Sequence, residues 1–197
     1  MPVYITPYYN SSGLQIGVGE FSKGLAGTDV PSLQKTLSAM KAKWSELCPE
    51  AMYVAAIRLY DLGLKDESVY WFYSAQYRAK LFQGLLEPAS IGGIGSKAFE
   101  LKQAYNAFFQ LTGTYINGYA FGDPQKLART VGTVQAEGKT LPSLKKMYPD
   151  IAFVEEGKWP AVNETINSGM TDFIEYLTKN VDTIKKQRQE AGVEGKY

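Results

Sequence analysis

The spacing of apolar residues along the chain predicts its fold class. Between residues 31 and 189, apolar side chains recur every three or four positions, which is the spacing of one face of an α-helix. The C-terminal stripe is the clearest, and its members are Val162, Ile166, Phe173, Leu177, Val181 and Ile184. The sequence therefore predicts a mainly α protein, with six or seven helices in a bundle or an irregular helical array.

The first 27 residues have a different pattern, rich in β-branched and aromatic side chains. Two such runs, residues 3–5 and 14–18, flank the turn-forming residues 10–13, and this arrangement predicts a small N-terminal β-hairpin packed on the helices. We thus predict a single domain over residues 1–197. It consists of an N-terminal arm (1–27), a helical body (31–189) and a loose tail (190–197).

Proline, aspartate and glycine mark the predicted helix ends. Pro49 and the pair Asp123-Pro124 predict helix starts, because proline fits the first helical turn and aspartate caps it. Gly63 predicts the end of the helix that begins at Pro49, and Asp66 is predicted to cap the next one. Residues 137–160 leave the prediction open, with one short helix over 142–148 and a short strand over 151–154.

The absence of histidine and the presence of a single cysteine exclude several classes of catalytic and metal site. The chain has no histidine and one cysteine, Cys48, so it contains no internal disulfide, no His-dependent catalytic pair and no His or Cys cluster for a metal. Two glycine-rich stretches, residues 17–22 and 92–97, lack the spacing of nucleotide-binding loops, so no cofactor is predicted. Cys48 precedes a predicted helix, where it is either a reactive thiol or a small core residue.

The charge of the chain is balanced, with 21 lysines and arginines against 20 aspartates and glutamates and a net charge of +1. This balance argues against a nucleic-acid-binding protein and against a polybasic membrane protein. No stretch reaches the roughly 18 apolar residues of a membrane span, and the first seven residues lack the apolar run of a signal peptide. We predict a cytoplasmic protein that binds neither nucleic acid nor membranes.

Residues 52–80 resemble one tetratricopeptide or Sel1-type helical hairpin. The residues that match the repeat are Ala56, Leu59, Gly63, Ser68, Phe72 and Ala75. The resemblance implies two closely packed helices, with small residues that let them approach and Phe72 in the gap between them. It also implies binding of a protein or peptide. The sequence departs from the repeat at Lys80, which replaces the usual closing proline, and it has no second copy.

Residues 69–78 hold five aromatic side chains, more than one helix face can bury. Tyrosine and arginine often anchor protein interfaces, because they combine a large contact area with a polar group. Together with two charged residues of the preceding helix, they predict a partner-binding patch. This patch is predicted to contain Tyr70, Tyr73, Tyr77, Arg78, Arg58 and Asp61. The alternative is that other helices cover the tyrosines.

Two functions follow from these patterns. The first is a non-catalytic protein-binding module, such as an adaptor or a bacterial immunity protein that neutralises a toxin. The alternative is a small histidine-free enzyme, hydrolase-like, that uses Asp and Glu as general acid and base. Glu20, Glu100 and Asp123 are its unassigned candidates, because catalytic carboxylates can come from distant parts of a chain.

Overall fold

The structure, a computed structural model, describes residues 17–197 and is mainly helical, as the sequence predicts. This range holds nine α-helices and no β-strand. The helices are α1 (Ser22–Leu25), α2 (Val30–Ala42), α3 (Pro49–Asp61), α4 (Lys65–Leu85), α5 (Lys97–Ala120), α6 (Pro124–Glu137), α7 (Leu144–Met147), α8 (Trp159–Lys179) and α9 (Val181–Glu190). The predicted N-terminal β-hairpin falls almost entirely on residues 1–16, which lie outside the described residues.

The helix count exceeds the predicted six or seven for two reasons. Helix α1, a single turn of four residues, lies in the N-terminal arm, for which the sequence predicts no helix. The predicted last helix is in fact two helices, α8 and α9, which meet at Asn180. The Asn180 side chain donates from Nδ2 to the Tyr176 carbonyl at 2.8 Å. Such a side-chain bond competes with the backbone ladder and favours a break at this position.

Helix α4 is the centre of the fold, because α3, α5, α6 and α8 all pack against it. Helix α3 precedes it across a tight turn at Gly63, whose φ of 80° lies in the left-handed region that favours glycine, and the predicted end of α3 is thereby confirmed. The Ser68 hydroxyl donates to the Ala56 carbonyl at 2.7 Å and holds the two helices together. The relation of this helix pair to tetratricopeptide repeats stays a prediction.

Helix α5 runs antiparallel to α4. Near the start of α5, Tyr105 packs edge-on against Phe82 with ring centroids 5.4 Å apart. Near the end of α5, Asn117 accepts a hydrogen bond from the Tyr73 hydroxyl at 3.0 Å. Residue numbers therefore rise along one helix as they fall along the other.

Helix α8 is also antiparallel to α4. Its first turns approach the end of α4, where a Cβ built on Gly84 would lie 2.9 Å from Val162 Cγ1. Further along α8, Phe173 stacks on Tyr73 at 6.1 Å. Since α5 and α8 both run opposite to α4, they run in the same direction as each other.

Local signals explain some of the helix starts. Asp123 caps α6 as predicted, with its carboxylate accepting from the Lys126 amide at 2.9 Å. The predicted cap at Asp66 is wrong, because α4 begins at Lys65 and its N-cap residue is Leu64. The Asp66 carboxylate instead pairs with the Lys126 ammonium at 2.5 Å. The Asp66 side chain therefore forms an ion pair with α6 and does not cap α4.

Residues 141–159, here called the cover segment, lie over one end of α4. The predicted short helix in this segment is α7, whereas the possible strand is reduced to one antiparallel bridge between Leu86 and Phe153. Two backbone bonds, from the Glu87 amide to the Ala152 carbonyl at 3.1 Å and from the Val154 amide to the Leu85 carbonyl at 2.9 Å, flank the bridge. We call this pair of bonds the clasp.

The C-terminal residues, expected to be loose, touch the helical body. The Val193 amide donates to the Arg188 carbonyl at 3.1 Å, and the Tyr197 ring packs edge-on against Tyr115 at 6.3 Å. Across the described residues, every helix is too short or too polar to span a membrane.

Candidate functional site

The structure buries half of the residues that were predicted to form an exposed partner-binding patch. Tyr73, Tyr77 and Arg78 are 9%, 5% and 4% exposed. Helices pack around α4 on nearly all sides, so the side of α4 that carries Tyr73 and Tyr77 is buried as well. The sequence had left this alternative open, and the burial supports it.

Tyr70 and Arg78 lie together on the side of α4 that faces Trp44. The Arg78 guanidinium lies 4.9 Å from the Trp44 ring centroid and donates to the Leu47 carbonyl at 2.7 Å. Burial lowers the pKa of Arg78 to about 10, which leaves it a cation at neutral pH. The Tyr70 ring stacks on the same Trp44, and its hydroxyl donates to the Glu137 carboxylate at 2.8 Å. These contacts hold the helices together.

Arg58 and Asp61 lie elsewhere, at the end of α3. Arg58 donates to the carbonyls of Leu25 and Gly27 at 3.1 and 2.9 Å, and it also pairs with Asp61 at 3.3 Å. Arg58 therefore anchors the turn after α1 to the helical body. The six predicted residues do not form one surface.

Tyr73 and Tyr77 instead line a groove between α5 and α8, with α4 as its floor. The groove contains a cavity of about 480 Å³, within the usual size range of ligand sites. Apolar and aromatic side chains make up most of its lining, which consists of Tyr73, Gln76, Tyr77, Lys80, Phe109, Asn117, Phe121, Val131, Thr165, Ile166, Gly169, Met170 and Phe173. We call it the aromatic groove.

The aromatic groove continues into a second, shallower hollow of about 500 Å³. Phe109, Asn117 and Phe121 line both hollows, and the second one extends to Tyr176 and Arg188. Phe109 to Phe121 spans three turns of helix, or about 18 Å. Phe109 and Tyr176 are each 46% exposed, a large fraction for aromatic side chains. The two hollows together form an elongated apolar surface.

The two tyrosines on the groove floor are hydrogen-bonded and neutral. The Tyr73 hydroxyl is bonded to Asn117, and the Tyr77 hydroxyl donates to the Gly138 carbonyl at 2.6 Å and contacts Asn163. Desolvation raises the pKa of both tyrosines above 10, so they stay protonated at neutral pH. Such a floor can bind a ligand, but it offers no general base.

Two groups at one end of the groove have donors to spare. Lys80 is exposed, and no carboxylate of residues 17–197 pairs with it. One turn earlier on α4, the Gln76 Nε2 atom is buried and meets no acceptor in the described part of the chain. A buried unpaired donor is unfavourable, so this end of the groove favours an acceptor from outside.

A second polar site is sealed beneath the cover segment. The hydroxyls of Tyr105 and Tyr148 donate to Glu50 Oε2 at 3.0 and 2.6 Å, and they lie 2.9 Å from each other. We call these three residues the Glu50 cluster. Burial raises the pKa of the Glu50 carboxyl above 4.5. Burial and, to a smaller extent, the nearby Glu50 carboxyl raise the pKa of Cys48 to about 12, which favours its interpretation as a packing residue.

The three carboxylates singled out as catalytic candidates lie on separate elements. Glu20 pairs with Lys43 at 2.6 Å, Glu100 accepts from the Gly95 amide at 2.8 Å, and Asp123 caps α6. Within residues 17–197, no group of three or more acidic or cysteine side chains is placed to hold a metal ion.

The residues that complete the groove were not recognised as a site. The sequence places Ile166 and Phe173 on the C-terminal apolar stripe, yet they and Met170 are only half-buried. The available signal is the pair Phe108 and Phe109, because adjacent residues lie about 100° apart around a helix and a helix that packs on one side buries only one of them. Phe108 is 6% exposed, while Phe109 faces the groove.

Comparison with known proteins identifies no family. No protein-family model matches the chain, and no solved structure matches it. One uncharacterized protein of Haemophilus influenzae is 28% identical over 132 residues, which cover 64% of this chain and 49% of that protein. The chain thus spans about half the length of this relative.

Proposed function

We propose that the chain is a non-catalytic protein-binding module and that the aromatic groove receives an apolar segment of a partner protein. The observation that carries the proposal is the exposure of large aromatic side chains along one continuous surface, above all Phe109 and Tyr176 at 46% each. Soluble proteins expose single apolar residues often, whereas contiguous apolar patches are typical of binding sites.

The shape of the surface favours a protein segment as its ligand. Two adjoining hollows extend along α5 for about three helical turns, a length that suits an amphipathic helix. A helix that binds in a groove inserts side chains from one face, at positions i, i+3, i+4 and i+7. A further helix would lie over α5 and α8, because Phe121 and Phe173 contact each other across the groove with ring centroids 6.2 Å apart.

The chemistry of the groove favours binding over catalysis. Its floor tyrosines are neutral and hydrogen-bonded, and the charged side chains that line the two hollows are those of Lys80 and Arg188. The adaptor role, the toxin-neutralising role and the cytoplasmic location all stay predictions. The hydrolase-like alternative gains no support from the three carboxylate candidates, which lie apart.

Site-specific photocrosslinking tests the proposal directly. A photoreactive phenylalanine analogue at Phe109 should crosslink to one partner in cells of the source organism, because this side chain forms the groove wall. The same analogue at Leu111 is the matched control, since Leu111 is 49% exposed on the same helix but lines neither hollow. A partner captured equally from both positions, or from neither, would contradict the proposed function.

A further inference from the structure

We infer that the partner segment is an amphipathic helix that carries acidic residues beside its apolar stripe. This inference rests on the proposed function and adds the chemistry of the partner. Three features of the described residues support it: the sign of the charges that line the groove, the unpaired donors at one end, and the open space above Gly169.

The charges that line the groove have one sign. Lys80 and Arg188 are its charged side chains, and no carboxylate of the described residues lines either hollow. Arg188 is already engaged, with Glu194 at 3.1 Å and the Gly118 carbonyl at 2.8 Å. Lys80 has no such partner, so its charge is the one left for a ligand. A negative partner is favoured because complementary charges speed association and exclude partners of like charge.

The donors at the Lys80 end point to an acceptor in the partner. Gln76 lies four residues before Lys80, so the two side chains are neighbours on the same face of α4. Neither the Gln76 Nε2 atom nor the Lys80 ammonium has an acceptor among residues 17–197. A carboxylate can accept from both an ammonium and an amide, whereas a basic side chain can accept from neither.

The wall of the groove on α8 is open at Gly169. Within residues 17–197, a Cβ added to Gly169 would meet no atom within 4 Å apart from the neighbouring backbone of α8, although Gly169 lines the groove wall. Across the groove, Phe109, Asn117 and Phe121 lie on one face of α5. A docked helix packs about 8–10 Å from its neighbours, which lets its apolar side chains reach both walls.

Two designed peptides test the inference. Each has about 14 residues, is stapled to be helical, and carries leucines at i, i+3, i+4 and i+7. In one peptide glutamates flank the leucines, and in the other lysines replace the glutamates. We expect the acidic peptide to bind the full-length chain about 5- to 10-fold more tightly at low salt, measured by fluorescence anisotropy. Equal affinities, or tighter binding of the basic peptide, would overturn the inference.

Two pairs of variants locate the binding site. Lys80→Glu should remove the preference for the acidic peptide, whereas Lys35→Glu, on the exposed surface of α2, should preserve it. Gly169→Trp should abolish binding by filling the groove, whereas Ser168→Trp, at an exposed position that lines neither hollow, should not. Circular dichroism checks folding, and Phe109→Asp at an already exposed position serves if Gly169→Trp does not fold.

Other occupants give distinct results. A dimer seen by light scattering and dissociated by Gly169→Trp would assign the groove to a second copy and overturn the inference. Tighter binding of dodecanoate than of the acidic peptide would assign it to a small amphiphile, with the same consequence. If neither peptide binds while position 109 still crosslinks to a partner, the inference fails and the proposed function stands. If the crosslinking fails as well, both are wrong.

Discussion

The Glu50 cluster and the aromatic groove lie in two parts of the same fold and differ in one respect, their cover. Over the end of α4 that contains Phe82, the cover segment places Tyr148 and Phe153 against that ring at 5.0 and 5.7 Å. Over the part that contains Tyr73, no described segment closes the space between α5 and α8. The chain seals one set of aromatic residues and leaves another open.

We expect the sealed region to contribute mainly to stability and the open region mainly to binding. The sealed region holds a buried carboxyl and two buried tyrosines whose hydrogen bonds are satisfied within the chain. The open region exposes aromatic surface that contributes little to folding and is free to contact another molecule. Substitutions in the first region should therefore destabilise the fold, and substitutions in the second should mainly weaken binding.

The largest expected effect is a difference in stability between variants at two adjacent residues, Phe108 and Phe109. Phe108→Ala should lower the free energy of unfolding by about 3–5 kcal/mol, because its ring is 6% exposed and stacks 5.0 Å from Tyr53. Phe109→Ala should cost about 1 kcal/mol, since that ring is 46% exposed. Urea denaturation of both variants measures the difference, and equal losses would mean that the groove wall is part of the core.

Removing the carboxyl of the sealed region should have the next largest effect. Glu50→Ala leaves two buried tyrosine hydroxyls without their shared acceptor and should destabilise the fold by about 2–4 kcal/mol. Glu175→Ala is the control, because it removes only an exposed pair with Lys179 on α8, worth about 0.5 kcal/mol. A loss as small as that of the control would show that the Glu50 cluster is not a stabilising network.

Glu50→Gln should change how stability depends on pH. The raised pKa of Glu50 means that the folded chain holds this proton more tightly than the unfolded chain does. The contribution of Glu50 to stability is then greatest below pH 4.5 and declines as the pH rises through the raised pKa, by about 1.4 kcal/mol per pKa unit. Glutamine does not titrate, so the stability of the variant relative to wild type should increase with pH. A constant difference between pH 4 and 8 in urea denaturation would refute this.

The smallest expected effect is a gain in stability in the open region. Gly169→Ala should raise the free energy of unfolding by about 1 kcal/mol, because alanine favours a helix and its Cβ would meet open space. Gly84→Ala should give no such gain, since the added Cβ would lie 2.9 Å from Val162 where α4 and α8 approach. Thermal denaturation compares the two, and an equal gain would place the helices further apart than described.

The helices were predictable where local signals determine them. Pro49, Gly63 and Asp123 mark helix ends through the geometry and hydrogen bonding of their own turns. The predicted cap at Asp66 is wrong because its carboxylate pairs with Lys126 on α6, a contact between residues 60 positions apart. The break at Asn180 interrupts an otherwise continuous apolar pattern, so periodicity alone predicts one helix there.

The candidate site was less predictable because it depends on the distance between helices. The pattern of α4 could not show which of Tyr70, Tyr73 and Tyr77 would be covered, since a helix packed on nearly all sides has no single buried face. The groove exists because α5 and α8 both pack on α4 with a gap between them, and no residue of either helix specifies that gap alone.

The clasp makes the motion of the cover segment measurable. It joins residues 85–87 to 152–154 through two backbone bonds, donated by the amides of Glu87 and Val154. If the cover segment lifts as a unit, hydrogen–deuterium exchange of these two amides should give the same free energy of opening. That free energy would give the fraction of the folded protein in which the cover segment is open and water reaches the Glu50 carboxyl.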